Sequence, residues 1–155
     1  MTATAELVRS LFIPIHEVNL VLPGALVAEV VPYMEPAPAQ DAVPDWFLGS
    51  IVWREQRIPL VSVDALVTGA DAVSGARVRI AVLKAVASGP ELNYYAIVMR
   101  GLPRLVSVSP GTVEGLGENL SEGPAVAAEV LANGEPAIIP DVDYIEAQIN
   151  AVLNP

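Results

Sequence analysis

The chain has 155 residues, 53% of them apolar and 17% charged, with a formal net charge of −10 at pH 7 and no cysteine. This is enough to bury the core of one domain, or of two small lobes that share a core, and the apolar content argues against disorder. Disulfides and thiolate metal sites are excluded, and the acidity argues against a nucleic-acid partner, which clustered lysine and arginine would have to hold.

The charge is uneven. Residues 1–104 hold all eight basic residues and ten acidic ones, a net −2, whereas residues 105–155 hold eight acidic and no basic residues, a net −8. Solubility of an apolar chain accounts for this, the other reading being an acidic lobe that steers a basic partner. The opening MTATAELVRS lacks the pattern of a secretory signal. The longest apolar stretch, Val18 to Val31, is broken by Pro23 and Glu29 and is too short to cross a bilayer core of about 30 Å. A cytoplasmic protein in a reducing compartment, with no membrane insertion, is expected.

Strand signals dominate the chain order. Ser10 to Ile15 and Val18 to Leu22 are apolar runs split by His16-Glu17, a tight hairpin, with Pro14 marking an edge or an early end. Pro23-Gly24 breaks the chain before a strand from Leu26 to Tyr33 that contains Glu29. Four prolines within residues 32–44 predict an extended surface loop. Trp46 to Trp53 is an apolar strand, Arg54-Glu55-Gln56-Arg57 a charged corner, and Ile58 to Val61 a second apolar strand. Ser62 caps a short helix through Val67, with Asp64 near its positive end. Residues 68–75 form a loop between lobes.

Strands at Arg77 to Val86, Tyr94 to Met99 and Leu105 to Val108 follow. Val126 to Ala132 and Glu135 to Ile139 flank Asn133-Gly134, the strongest hairpin signal present, because a type I′ turn needs positive φ. Val142, Ile145, Ile149, Val152 and Leu153 fall on one face of a terminal helix, whose N-terminal dipole suits Asp141, Asp143 and Glu146. The whole predicts an all-β chain of about ten strands, forming barrels or sandwiches, with one short and one terminal helix. Several strands are apolar on both faces, as where two lobes pack together.

Signals for chemistry are weak. His16, the only histidine, lies in a predicted turn without a nucleophile or an orienting carboxylate. The glycines at 111, 115 and 117 lack the strand and helix of a dinucleotide fingerprint and read as loop. Asp141, Asp143 and Glu146 are spaced for helix electrostatics rather than for a metal. Asn119-Leu120-Ser121 matches a glycosylation acceptor, irrelevant without secretion. No catalytic residue, cofactor or metal is expected. Trp46 and Trp53 suit core or lobe-interface packing. Arg54 reads as a solvated turn residue, a local partner of Glu55, or a contact to another protein; Glu29 reads as an edge charge or as half of a pair.

The segment Pro44 to Leu66, PDWFLGSIVWREQRIPLVSVDAL, resembles the CheW-like adaptor family of bacterial chemosensory systems. Leu48-Gly49, Arg54, Ile58-Pro59 and Leu60-Val61 stand where that family has leucine-glycine, arginine, isoleucine-proline and two aliphatics. Ala28-Glu29-Val30 matches its glutamate-aliphatic step, and Ala96-Ile97-Val98-Met99 with Gly101 matches its second-lobe strand. Four positions depart. Val52-Trp53 replaces asparagine-leucine, Glu55 a glycine, Ser62 an aspartate, and Arg100 the second lobe's aspartate. The departures resemble an auxiliary branch serving systems that control type IV pili.

The resemblance implies a single domain over 1–155: two packed five-stranded SH3-like barrels, with lobes at 10–68 and 76–140 and a helix at 142–153. It implies a non-enzymatic adaptor coupling the tip of a methyl-accepting receptor to the regulatory domain of a CheA-type histidine kinase. By residue, it places partner contacts at Arg54 and Glu29, with Val27 and Gly49 as their apolar and close-approach neighbours. A glutamate in place of the glycine at 55 is expected to disfavour a positive-φ turn. The alternatives are a free-standing peptide-binding barrel and a small β-barrel hydrolase.

Overall fold

The computed structural model describes residues 8–15, 18–39, 41–68, 78–86, 92–108, 113–115, 125–132 and 134–154. In chain order it contains β1 (Val8–Ile15), β2 (Val18–Pro23), a 3-10 turn at Gly24–Leu26, β3 (Val27–Pro32), β4 (Phe47–Trp53), β5 (Gln56–Val61) and α1 (Val63–Thr68). There follow β6 (Arg79–Lys84), β7 (Tyr94–Met99), β8 (Arg104–Val108), β9 (Val113–Gly115), β10 (Val126–Ala132), β11 (Glu135–Pro140) and α2 (Val142–Leu153).

The strands form two sheets, one in the order β8-β1-β2-β11-β10-β9 and the other β3-β6-β7-β5-β4. Two pairings run parallel, β2 with β11 and β5 with β7; the rest are antiparallel. The stretches 10–68 and 76–140 each give strands to both sheets, so long-range pairing assembles the two layers rather than chain order. Pro14 sits at the end of β1 beyond its pairing with β8, which stops at Phe12, so its missing N–H interrupts no ladder on that side.

The alternation of strand side chains explains why both faces are apolar. In β6, Ile80 and Val82 enter one core while Ala81 and Leu83 enter another. In β7, Ala96 and Val98 join the first of these, and Tyr95, Ile97 and Met99 the second. The five-stranded sheet therefore curls around its own core on one face. Its other face packs against Ile13, Ile15, Leu20, Leu22, Ile138 and the α2 residues Ile145 and Ile149. A third cluster, Phe12, Val21 and Ala137, fills the far face of the other sheet. The two sheets make two lobes sharing a central core.

A bulge between Phe47 and Gly49 shifts the register of β4, so Phe47 joins the central core while Ile51 and Trp53 face the barrel interior. Helix α1 begins at Ser62, whose hydroxyl accepts from Ala65 N at 3.1 Å, and α2 begins at Asp141, whose carboxylate accepts from Tyr144 N at 3.0 Å.

Three expectations shift. The charged corner narrows to Arg54-Glu55, because Gln56 and Arg57 already belong to β5. Val113–Gly115, expected to be loop, pairs as β9 with Val130–Ala132, an edge that only tertiary contact supplies. Glu146, expected to serve the helix dipole, is fully buried on α2. Gly134 has φ +82 between paired Ala132 and Glu135, as the hairpin signal requires. His16, Asn133, residues 69–75, Gly111, Gly117 and Asn119–Ser121 lie outside the described residues.

Candidate interaction site

Strands β3 and β4 are the two edges of the five-stranded sheet, and its curl brings them together. Glu29 on β3 accepts from the Trp53 indole Nε1 at 3.0 Å and from Arg54 Nη2 at 3.2 Å. The Arg54 guanidinium lies 4.5 Å from the centre of the Trp53 ring, and that ring packs at 4.9 Å on Tyr94. Side chains thus clasp two edges that no backbone ladder joins. A glutamate within an apolar strand implies a partner, and Glu29 finds two, so that Arg54 pairs with Glu29 rather than with its neighbour Glu55. The Trp53 donor is not legible from sequence, since the indole N–H finds Glu29 only after the sheet has curled.

The clasp is exposed. The side chains of Arg54 and Glu29 are 63% and 43% accessible, so their pair contributes at most about 1 kcal/mol to stability. The turn itself is strained. Trp53 pairs with Gln56, leaving a two-residue loop in which Arg54 has φ 48 and Glu55 φ 65. Two positive φ values are the type I′ arrangement, whose twist matches the flanking strands. Non-glycine residues there cost on the order of 1 kcal/mol each. The glutamate at 55 therefore does not prevent the positive-φ turn. Glu55 accepts the strained conformation, and the hairpin still presents Arg54 at its tip beside Val52, which is 54% exposed.

The other two expected contact residues lie outside this cluster. Val27 starts β3 and packs, half-buried, against the central core; a bulge at Ala28 separates its register from that of Glu29. Gly49, with φ +134, lies under the proline-rich loop, where Ala37 and Ser50 exchange backbone hydrogen bonds of 2.8 and 2.9 Å. A Cβ at this position would overlap the Ala37 carbonyl oxygen. Pro59 faces Ser50, whose own backbone groups point away to Ala37, so the proline costs no ladder bond there.

A second arginine pair lies at the end of the five-stranded sheet, where it also touches the other sheet. Asp64 on α1, 2% exposed, accepts from Arg100 Nε at 3.2 Å, and the Arg100 backbone N–H donates to the Pro14 carbonyl at 2.8 Å. Arg100 thus links α1, β1 and the end of β7. In the central core, both oxygens of Glu146 accept from Val86 N at 3.0 and 2.9 Å. Glu146 also takes the Tyr95 hydroxyl, and burial together with this carboxylate pushes the phenol far above its ordinary value. Among the described residues, no three His, Cys, Asp or Glu side chains gather as a metal site, and no helix is long and apolar enough to cross a membrane.

Comparison with known proteins agrees with this architecture. The CheW-like domain matches residues 9–149. In structure the chain is similar to the scaffolding protein TtCheW from Thermoanaerobacter tengcongensis, with a TM-score of 0.73 and 12% identity, covering 92% of this chain and 89% of that one. No curated protein matches the sequence. With the family spanning nearly all of the described strands and the two-lobed fold in common, the chain belongs to the CheW-like domain family.

Proposed function

We propose that this protein is a non-enzymatic, cytoplasmic chemosensory adaptor that couples a methyl-accepting receptor tip to the regulatory domain of a CheA-type histidine kinase. The observation that carries the reading is the exposed Arg54, held on a rigid two-residue turn by Glu29 and Trp53 at the meeting of two sheet edges. An arginine fixed before binding loses little side-chain freedom on contact, which favours it as an interface anchor. Family membership and the likeness to a scaffolding protein support the same reading.

Isothermal titration of the purified chain with the kinase regulatory domain from its own cell, and with a receptor fragment, tests it. Affinity near micromolar, about −8 kcal/mol, is expected for at least one partner. Failure of both to bind removes the adaptor reading.

A further inference from the structure

Beside the hairpin lies a cleft of about 350 Å³, lined by Ala37, Phe47, Ile58, Leu92, Tyr94 and Leu153 of α2. Its size and mainly apolar wall are those of a pocket that takes a few side chains or a small ligand. Its polar lining includes Ser50 and Arg57. In a chain with 18 acidic and eight basic residues, no acidic residue lines this cleft among the described residues, and Arg57 is its one charged group. Arg54, Arg100 and Arg104 each have a carboxylate within 3.2 Å. Arg57 instead donates to the Ser50 hydroxyl at 2.9 Å, which aims the guanidinium without neutralising it.

We infer that this cleft binds an extended acidic peptide segment of a partner protein, seating its apolar side chains on Phe47, Ile58 and Tyr94 and pairing a neighbouring carboxylate with Arg57. The wall desolvates the apolar side chains, and an arginine fork beside it recognises a carboxylate bidentately. The adjoining Tyr94 ring also packs on Trp53, so the cleft and the Arg54 tip can act on one partner. The inference does not depend on which proteins the adaptor couples.

The test is an amide chemical-shift titration of the full chain with a short synthetic peptide carrying a leucine-phenylalanine pair between two aspartates. A matched peptide with lysines in place of the aspartates serves as control. Shifts confined to Gly49, Ser50, Arg57 and Tyr94 with the acidic peptide are expected, together with binding about tenfold weaker for Arg57→Ala and for the lysine peptide. Equal binding of both peptides, or acidic-peptide shifts elsewhere, overturns the proposal. The same shifts produced by hexanoate alone would assign the cleft to a small carboxylate. Their loss on simple dilution of the free chain would assign it to a second copy; either result overturns the peptide. Loss of kinase and receptor binding with the peptide result intact would instead remove only the adaptor reading.

Discussion

Two arginine–carboxylate pairs in this molecule share a separation of 3.2 Å and differ in almost everything else. Glu29–Arg54 sits in water at a sheet edge, on a strained turn. Asp64–Arg100 sits where the lobes meet, with its aspartate 2% exposed. Distance does not rank them. In high dielectric the first attraction is screened and nearly offset by the entropy of holding two long side chains. In the second, removing the arginine leaves a desolvated carboxylate short of its counter-charge. The exposed pair is thus available to another protein, and the buried one is committed to the fold.

The largest effect expected on either side comes from backbone rather than charge. Gly49→Ala places a Cβ against the Ala37 carbonyl at a φ of +134 and should destabilise by about 3 kcal/mol, read by chemical denaturation. A loss under about 1 kcal/mol would show that the proline-rich loop is not anchored at β4 as described.

Arg100→Ala should cost about 2–3 kcal/mol, well above Arg54→Ala, whose loss of stability should stay below about 1 kcal/mol. Equal losses would break the comparison. For partner binding the order reverses: Arg54→Ala should weaken one partner by about 1–3 kcal/mol in titration calorimetry, and unchanged affinity for both would remove Arg54 from the site.

The buried side also has a pH signature. Tyr95 is held neutral in the folded chain, while in the unfolded chain it ionises near its ordinary value of 10.0. A folded pKa raised above the unfolded one gives stability that is present below pH 10 and lost as pH climbs beyond it. Denaturation midpoints at pH 9 and pH 11 should therefore fall more steeply in the wild-type chain than in Tyr95→Phe, by roughly 1 kcal/mol per pH unit. Parallel curves would mean that burial and the Glu146 carboxylate do not hold the Tyr95 phenol neutral.

The smallest change is expected at Glu55. Glycine there relieves a positive φ of 65 but adds freedom to the unfolded chain, for a net gain of about 0.5 kcal/mol. Should the thermal midpoint fall instead, Glu55 makes a contact that outweighs its strain.

Local chemistry was legible along much of the chain. Apolar runs marked β4, β6 and β7, Ser62 and the acidic start of α2 marked helix ends, and Asn133-Gly134 marked the last hairpin. The residues alone left Arg54 as a solvated turn residue or a contact, only the family resemblance favouring the contact, and left Glu29 as an edge charge or half of a pair, because a charge inside an apolar strand must be paired or face water. The partners were not legible. Trp53 lies 24 residues from Glu29, Arg100 lies 36 from Asp64, and Val86 lies 60 from Glu146.

What the sequence by itself determined, then, is where strands and helices start, stop and turn, and that many strands need cover on both faces. These depend on side-chain period, capping groups and turn residues within a few positions of one another. Only the tertiary structure decided that β1 and β2 join β10 and β11 in one sheet, and that β3 closes on β4 through Glu29. It alone separated an exposed arginine pair from a buried one. Strand pairing is sorted by apolar area summed over two whole cores, and the worth of a charge by its distance from water; neither quantity exists until the layers have packed.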